Sequence, residues 1–298
     1  MNIKIIISFA IISVAFTQNT FPGLYSWTDG TSVSYSGGGY LISFQNSLRN
    51  AAMLVDAKRS LNLSIVKYPA DINAQSATIN GKLNNHNFGL AIRNINYGTF
   101  ESRTSDNIMT GSFSANDTQI DIGYARFVYK EKVVLGLNSG IFYSQLEKTN
   151  ASLIKISPTV MFRAKYFSTS FTIENYNKVL HTYTDNTSML RPSSVFSIHR
   201  SFKKYPLEIE ISTISNYYSS KRVNIISFVN KNNNNIFFRG GISTNKFNRM
   251  RGKQFISNIL NDVGFGFGYE MDTLLISLDT FSYSNNHFIY AFSISSKF

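Results

Sequence analysis

Along most of the chain, large apolar residues fall at every second position, and the positions between them are polar, charged or glycine. Residues two apart share one face of an extended strand, so this period describes strands with one apolar and one polar face. The end of the chain shows it best: Phe288, Tyr290, Phe292, Ile294 and Phe298 fall on one face, His287, Ser293, Ser295 and Lys297 on the other. Upstream, Val263, Phe265, Phe267 and Tyr269 alternate with Gly264, Gly266, Gly268 and Glu270, and Leu274, Ile276 and Leu278 with Thr273, Ser277 and Asp279. Leu207, Ile209 and Ile211 alternate with Glu208, Glu210 and Ser212, as do Ile154, Ile156, Val160 and Phe162 with Lys155, Ser157, Thr159 and Arg163. Charges recurring on the polar face of so many strands fit a polar lumen better than a dry sandwich core. A face of glycines predicts close approach by a plug or a neighbouring backbone.

The period predicts about fourteen strands, an even number as a closed bacterial barrel requires. They begin near Leu61, Ser76, Asn87, Thr118, Lys132, Leu153, Phe167, Ser193, Leu207, Asn224, Ile236, Val263, Thr273 and Asn286. The fold class is therefore all-β, a transmembrane antiparallel barrel over residues 60–298. Connection lengths support it, because such barrels alternate short periplasmic turns with longer external loops. The predicted turns are Lys130-Glu131, Lys165-Tyr166, Lys203 to Pro206, Lys231 to Asn235 and Met271-Asp272. The predicted loops are Asn96 to Asp117, Gln145 to Ser152, Asn175 to Pro192 and Asn245 to Asp262, with short exceptions near Ser219 and Ser284.

Ahead of the strands, Lys4 and the apolar stretch Ile5 to Phe16 have the form of a secretory signal peptide, residues 1–17. At about 12 residues the stretch is too short for a membrane-spanning helix. Cleavage rules allow Ser13-Val14-Ala15 or Ala15-Phe16-Thr17. Residues 18–59 lack the strand period. They hold Gly37-Gly38-Gly39 and then Leu48, Ala51, Ala52 and Val55 at helical spacing. This segment reads as a small N-terminal plug inside a lumen wide enough to need one, or as a disordered leader with a short surface helix.

Composition narrows the chemistry. With no cysteine in 298 residues there is no disulfide, thiolate nucleophile or lipid-attachment site. The net charge of +12 fits a surface facing anionic lipid and lipopolysaccharide better than nucleic acid, because the basic residues are dispersed. His86, His181, His199 and His287 show no metal-binding spacing, and no Gly-x-Ser-x-Gly elbow is present. Gly264 to Gly268 is followed by no helix pattern and no Gly-Lys-Ser/Thr, so it is no phosphate loop. No enzyme, metal or cofactor is expected, and the barrel is expected to be monomeric. The densest basic cluster, Lys246, Arg249, Arg251 and Lys253, lies in a predicted external loop. It is a candidate contact for lipopolysaccharide or an acidic partner, or else a solvated loop.

The plug followed by about fourteen strands resembles the FadL-like barrels. Within them, the chain is similar to the PorV/PorQ group of type IX secretion proteins. The residues carrying this are Asn46 to Ala52, which resembles the group's asparagine-proline-alanine stretch, with Ala51 where proline is usual. Phe88-Gly89-Leu90, Asn96 to Phe100, Gly111 to Asp117 and Ile122 to Arg126 resemble its third and fourth strands and the loop between. The compact length looks more like PorQ. The last strand, with Phe292, Ile294 and terminal Phe298, looks like the signal that the barrel-assembly machinery recognises. The resemblance implies a non-catalytic accessory of type IX secretion in the bacterial outer membrane, contacting secretion or surface-attachment proteins. The FadL-like architecture equally implies a transporter of hydrophobic molecules such as fatty acids.

Overall fold

The computed structural model describes residues 21–42, 48–183, 190–202, 206–215, 220–231, 234–244, 261–284 and 287–298. The signal-peptide reading of residues 1–17 and the basic cluster of Lys246, Arg249, Arg251 and Lys253 lie outside them.

Among the described residues, fifteen strand segments form one antiparallel sheet. They are β1 Ser60–Lys67, β2 Asn73–Leu83, β3 His86–Arg103, β4 Met109–Tyr129, β5 Val133–Leu146 and β6 Thr149–Arg163. Next come β7 Ser168–Glu174, β8 Tyr176–His181, β9 Ser193–Phe202, β10 Leu207–Ser215 and β11 Ser220–Lys231. The last four are β12 Asn234–Ser243, β13 Val263–Glu270, β14 Leu274–Ser284 and β15 His287–Lys297. Each pairs with its neighbours in sequence, except that β8 pairs with β6 and β9 with β7. The sheet closes on itself where β1 lies antiparallel to β15, from Ser60 opposite Lys297 to Lys67 opposite Tyr290. Because β7 and β8 are successive parts of one strand, the barrel has fourteen strands. Closure joins the first and last strands, so that their backbone groups are paired where no water could satisfy them; β8, paired with β6 alone among the described strands, keeps one edge.

The apolar face turns outward. Ile65, Ile122 and Leu278 are more than half exposed, as are Phe265 and Tyr290, while Ser64, Asp121, Gly264, Asp279 and Ser293 on the alternate positions are buried. On a soluble protein such an apolar surface would be an aggregation hazard; here it is the band that meets lipid. At the end carrying Ser60 and Lys297, the described turns are tight. Lys130 and Glu131 both take positive φ, the geometry of a two-residue hairpin. Ammonium groups of Lys130 and Lys165 sit 5.4 and 5.2 Å from the rings of Tyr129 and Tyr166, which suits an interfacial aromatic girdle.

Two predicted external loops are strand instead, and a third, Asn175 to Pro192, begins with the strand segment β8. β3 and β4 continue as a paired ribbon past Asn96 and Ala115, where β2 and β5 stop. From Gly98 to Arg103 the ribbon extends roughly 20 Å, at about 3.3 Å per residue. Gln145 to Ser152 is likewise a tight hairpin, with Leu146 paired to Thr149. Both faces of such extensions meet water, so the period of two vanishes from the sequence while the hydrogen-bond ladder persists.

The strand made of β7 and β8 is broken at Asn175, whose φ is +56°. Below the break Thr172 lies opposite Thr159 of β6; above it Tyr176 lies opposite Ile156, one residue out of step. Between these pairs β6 carries Ser157 and Pro158. Proline has no N–H to offer the ladder, and the Ser157 hydroxyl accepts the Asn175 N–H instead, at 2.9 Å. β9 pairs with β7 and not with β8. Above the break, Asn177 joins the wall through its side chain to the backbone of Leu190, at 2.9 and 3.3 Å.

Inside the barrel lie the described residues that precede β1, 21–42 and 48–59. They include a 3-10 turn, Pro22–Tyr25, a short helix α1, Gly30–Ser34, and a second 3-10 turn, Ala51–Val55. Phe21, Val33, Tyr35, Leu48, Ala51 and Ala52 are fully buried, enclosed by the wall. The helical spacing around Leu48 to Val55 thus yields a 3-10 turn rather than a surface helix.

Candidate functional site

The lumen is filled by two seats for this inner segment, and glycines open both. At the first, Leu48, Ala52 and Leu54 pack over Ala91, Ala125, Val134 and Met161. A Cβ on Gly136 would lie 2.3 Å from the Ala52 nitrogen, and one on Gly89 would lie 2.6 Å from Leu48. At the second, α1 crosses β12 to β15. A Cβ on Gly264 would lie 2.3 Å from the Ser34 carbonyl oxygen, and one on Gly241 would lie 2.5 Å from Tyr35 backbone. The close approach expected of the β13 glycines is therefore met at Gly264. Gly266 and Gly268 instead make room for wall side chains, Asp279 with Arg239 and Phe237 respectively.

The second seat is held by charge. Glu210 on β10 is fully buried and accepts backbone N–H groups from Gly39, Tyr40, Leu41 and Ile42, at 3.1, 2.9, 2.6 and 3.2 Å. Arg239 on β12 makes a two-pronged pair with Asp279, at 2.8 and 2.7 Å, and reaches Thr31 of α1 at 3.3 Å. Asp29 caps α1 by accepting the Ser32 N–H at 2.8 Å. Sequence periodicity marks Glu210 and Asp279 as inward-facing; it does not reveal that one binds the plug backbone and the other a guanidinium.

Between plug and wall is a polar cavity of about 150 Å3. Its lining includes Arg49, Arg93, Lys155 and Arg222, with Asp29, Glu174, Gln119, Asn138 and Ser157. Asp121 ties two of the cations together, accepting Lys155 Nζ at 2.8 Å and Arg93 at 3.1 Å. Arg49 pairs with Glu174 at 3.3 Å and lies over the Tyr40 ring, whose hydroxyl donates to Glu174 at 3.0 Å. Burial, opposed by the Arg49 charge, pushes the Tyr40 phenol well above its usual range, so it stays a donor.

A second concavity, about 930 Å3, lies on the wall beside the strand break. Ile120, Ile122, Leu137, Ile141, Ile154, Ile156 and Tyr176 line it, and Lys155 borders both this groove and the lumen cavity. Nothing in the strand period singles out this region, part of whose lining, Tyr176, Asn177 and Lys178, belongs to the displaced β8.

Of the residues singled out by sequence, Phe292 and Phe298 are exposed on the outer face, and Ile294 is half-buried beside them. The Phe298 N–H closes the barrel rim by bonding the Arg59 carbonyl at 3.2 Å. The described histidines stand apart: His86 bonds Tyr124 at 2.7 Å, and His199 bonds Glu208 at 3.0 Å. Among the described residues no three metal-ligating side chains cluster, and no helix is long and apolar enough to cross a membrane.

No protein-family model matches the chain, and no curated protein matches it by sequence. Solved structures match it in shape. The TodX monoaromatic hydrocarbon channel, in a deltaS2 mutant form, superposes with a TM-score of 0.52 at 10% identity, covering 92% of this chain and 99% of that one. The toluene transporter TodX of P. putida gives 0.48 at 10% identity, over 91% and 95%. CdiB from Acinetobacter baumannii gives 0.45 at 8%, over 81% of this chain and 60% of that one. At such identities the likeness is one of fold alone: this is a fourteen-stranded β-barrel of the outer-membrane type.

Proposed function

We propose that this barrel is a non-enzymatic, monomeric outer-membrane channel that delivers small hydrophobic molecules sideways into the bilayer. The observation that carries the reading is the apolar groove at the broken strand, bordered by Lys155, which also lines the lumen cavity. An axial route meets a plug held by Glu210 and Arg239. A hydrophobic solute has no need of that route, since the hydrocarbon beside the groove is its most favourable solvent. The fold likeness to a monoaromatic hydrocarbon channel supports the same class of solute.

The test is uptake of radiolabelled toluene and of a long-chain fatty acid by cells carrying the protein or lacking it. Filling the groove with Ile122→Trp and Ile141→Trp should slow uptake about tenfold, a barrier of about 1.4 kcal/mol. Ile211→Trp, on lipid-facing β10, should leave it unchanged. Equal uptake by groove-filled and unmodified protein would overturn the proposal.

A second reading rests on a different feature. The β3–β4 ribbon carries Phe100 stacked on Phe113 at 5.4 Å, and Ile108 and Met109 are about 60% exposed at its tip. An isolated two-stranded ribbon is marginal in water, so a bound partner would stabilise it. This suits an accessory of type IX secretion, PorQ- or PorV-like, that contacts secretion or surface-attachment proteins. Affinity purification from native membranes should then recover such components with the whole protein and lose them when residues 99–113 are replaced by a short turn.

A further inference from the structure

The lumen cavity is ill suited to a hydrophobic solute, and its chemistry specifies something else. Its wall presents four cationic side chains, Arg49, Arg93, Lys155 and Arg222, against two carboxylates, Asp29 and Glu174. Asp29 is already engaged through both oxygens by Ser32, at 2.8 and 2.9 Å. Glu174 is held by Arg49 and Tyr40, and Asp121, which does not line the cavity, is shared by Lys155 and Arg93. Cationic groups so arranged around a recessed, largely buried space attract an oxyanion more strongly than they would at a flat surface.

The second observation sets which oxyanion. Asn138 on β5 is 2% exposed and lines the cavity; its amide donates to the Leu48 carbonyl at 2.9 Å, while its Oδ1 has no hydrogen-bond partner in the protein. A buried acceptor of this kind calls for a donor. Carboxylates and sulfate carry no proton near neutral pH and would set lone pairs against it. Inorganic phosphate keeps an O–H in both of its neutral-pH forms, so unlike sulfate it offers charged oxygens to the cations and a proton to Asn138; bicarbonate also keeps an O–H but carries a single charge, a poorer match to several cations. Ser157, also on the lining, supplies a further hydroxyl donor.

We propose that the cavity between plug and wall binds a protonated phosphate oxyanion, with Arg49, Arg93, Lys155 and Arg222 facing its charge and Asn138 Oδ1 accepting its O–H. This goes beyond the uptake reading, and its test is independent of it. The purified full chain is titrated calorimetrically at constant ionic strength with inorganic phosphate, sulfate and glycerol 3-phosphate. Saturable phosphate binding is expected, about tenfold tighter than sulfate, the ratio set by one hydrogen bond of about 1.4 kcal/mol. Asn138→Ala should bring that ratio close to one while keeping heat-modifiable migration in gels, and Arg49→Gln should weaken both anions alike. Binding of phosphate in preference to glycerol 3-phosphate is expected, because a phosphomonoester has largely lost its last proton at neutral pH, and equal binding of the two overturns the O–H contact to Asn138. Equal affinity for sulfate and phosphate in the unmodified protein, or no binding of either, overturns the proposal.

Discussion

The two seats of the plug achieve the same closure by opposite means. Around Leu48 and Leu54 the contact is apolar, small wall residues and glycines taking leucine tips. Around α1 and Tyr40 it is ionic and hydrogen-bonded, with Glu210 and the Arg239–Asp279 pair wholly buried. An apolar seat is adaptable, because dispersion contacts have little directionality and neighbouring side chains can shift to fill a gap. A buried polar seat is specific: it costs desolvation unless every donor and acceptor is matched, and so it accepts one register of the inner chain. The difference assigns register to the second seat and bulk filling to the first.

The comparison can be broken hardest at Glu210. Glu210→Ala would orphan four backbone N–H groups, each costing about 1–3 kcal/mol if left unsatisfied, so the plug should detach from β10 as a unit. Limited proteolysis should then cut near Tyr40 in folded barrels; continued protection would show that the apolar seat suffices alone. Next in size, Arg239→Met should cost about 3–5 kcal/mol by leaving Asp279 buried and unpaired, while Arg239→Met with Asp279→Leu should recover most of that loss. Urea unfolding in liposomes measures both, and a double variant as weak as the single one would mean that the pair does more than compensate itself. Leu54→Ala should be milder, about 2–3 kcal/mol, because the tip of Leu48 lies against the same two glycines, Gly89 and Gly123, and can shift into part of the gap. The smallest effect belongs outside the lumen: Arg103→Ala, on an exposed pair with Glu101, should change stability by no more than about 0.5 kcal/mol.

Much of the wall was legible in the chain. Alternation over β13 and β15 placed Phe265, Phe267, Phe288 and Phe292 outward, and the structure agrees at each. Alternation is a local property, because a strand's two faces follow from backbone geometry alone and lipid on one side enforces it. The ribbon of β3 and β4 was not legible, since pairing beyond the membrane needs no apolar face to sustain it. Nor was the groove: Pro158 is visible in the sequence, but its effect depends on the neighbouring strand, where pairing resumes one residue out of step between Thr172 and Tyr176.

The sequence by itself determined the solvent of each strand face, the approximate number of crossings and the absence of cysteine chemistry. Glycines on β13 also announced a close neighbour without naming it. Only the tertiary structure decided which inward charges meet. Asp121 finds Lys155 and Arg93, Arg239 finds Asp279, and Glu210 finds the backbone of Gly39 to Ile42. Such partners lie dozens of residues apart, and barrel closure, plug path and strand stagger fix their meeting. None of those is a property of a single strand.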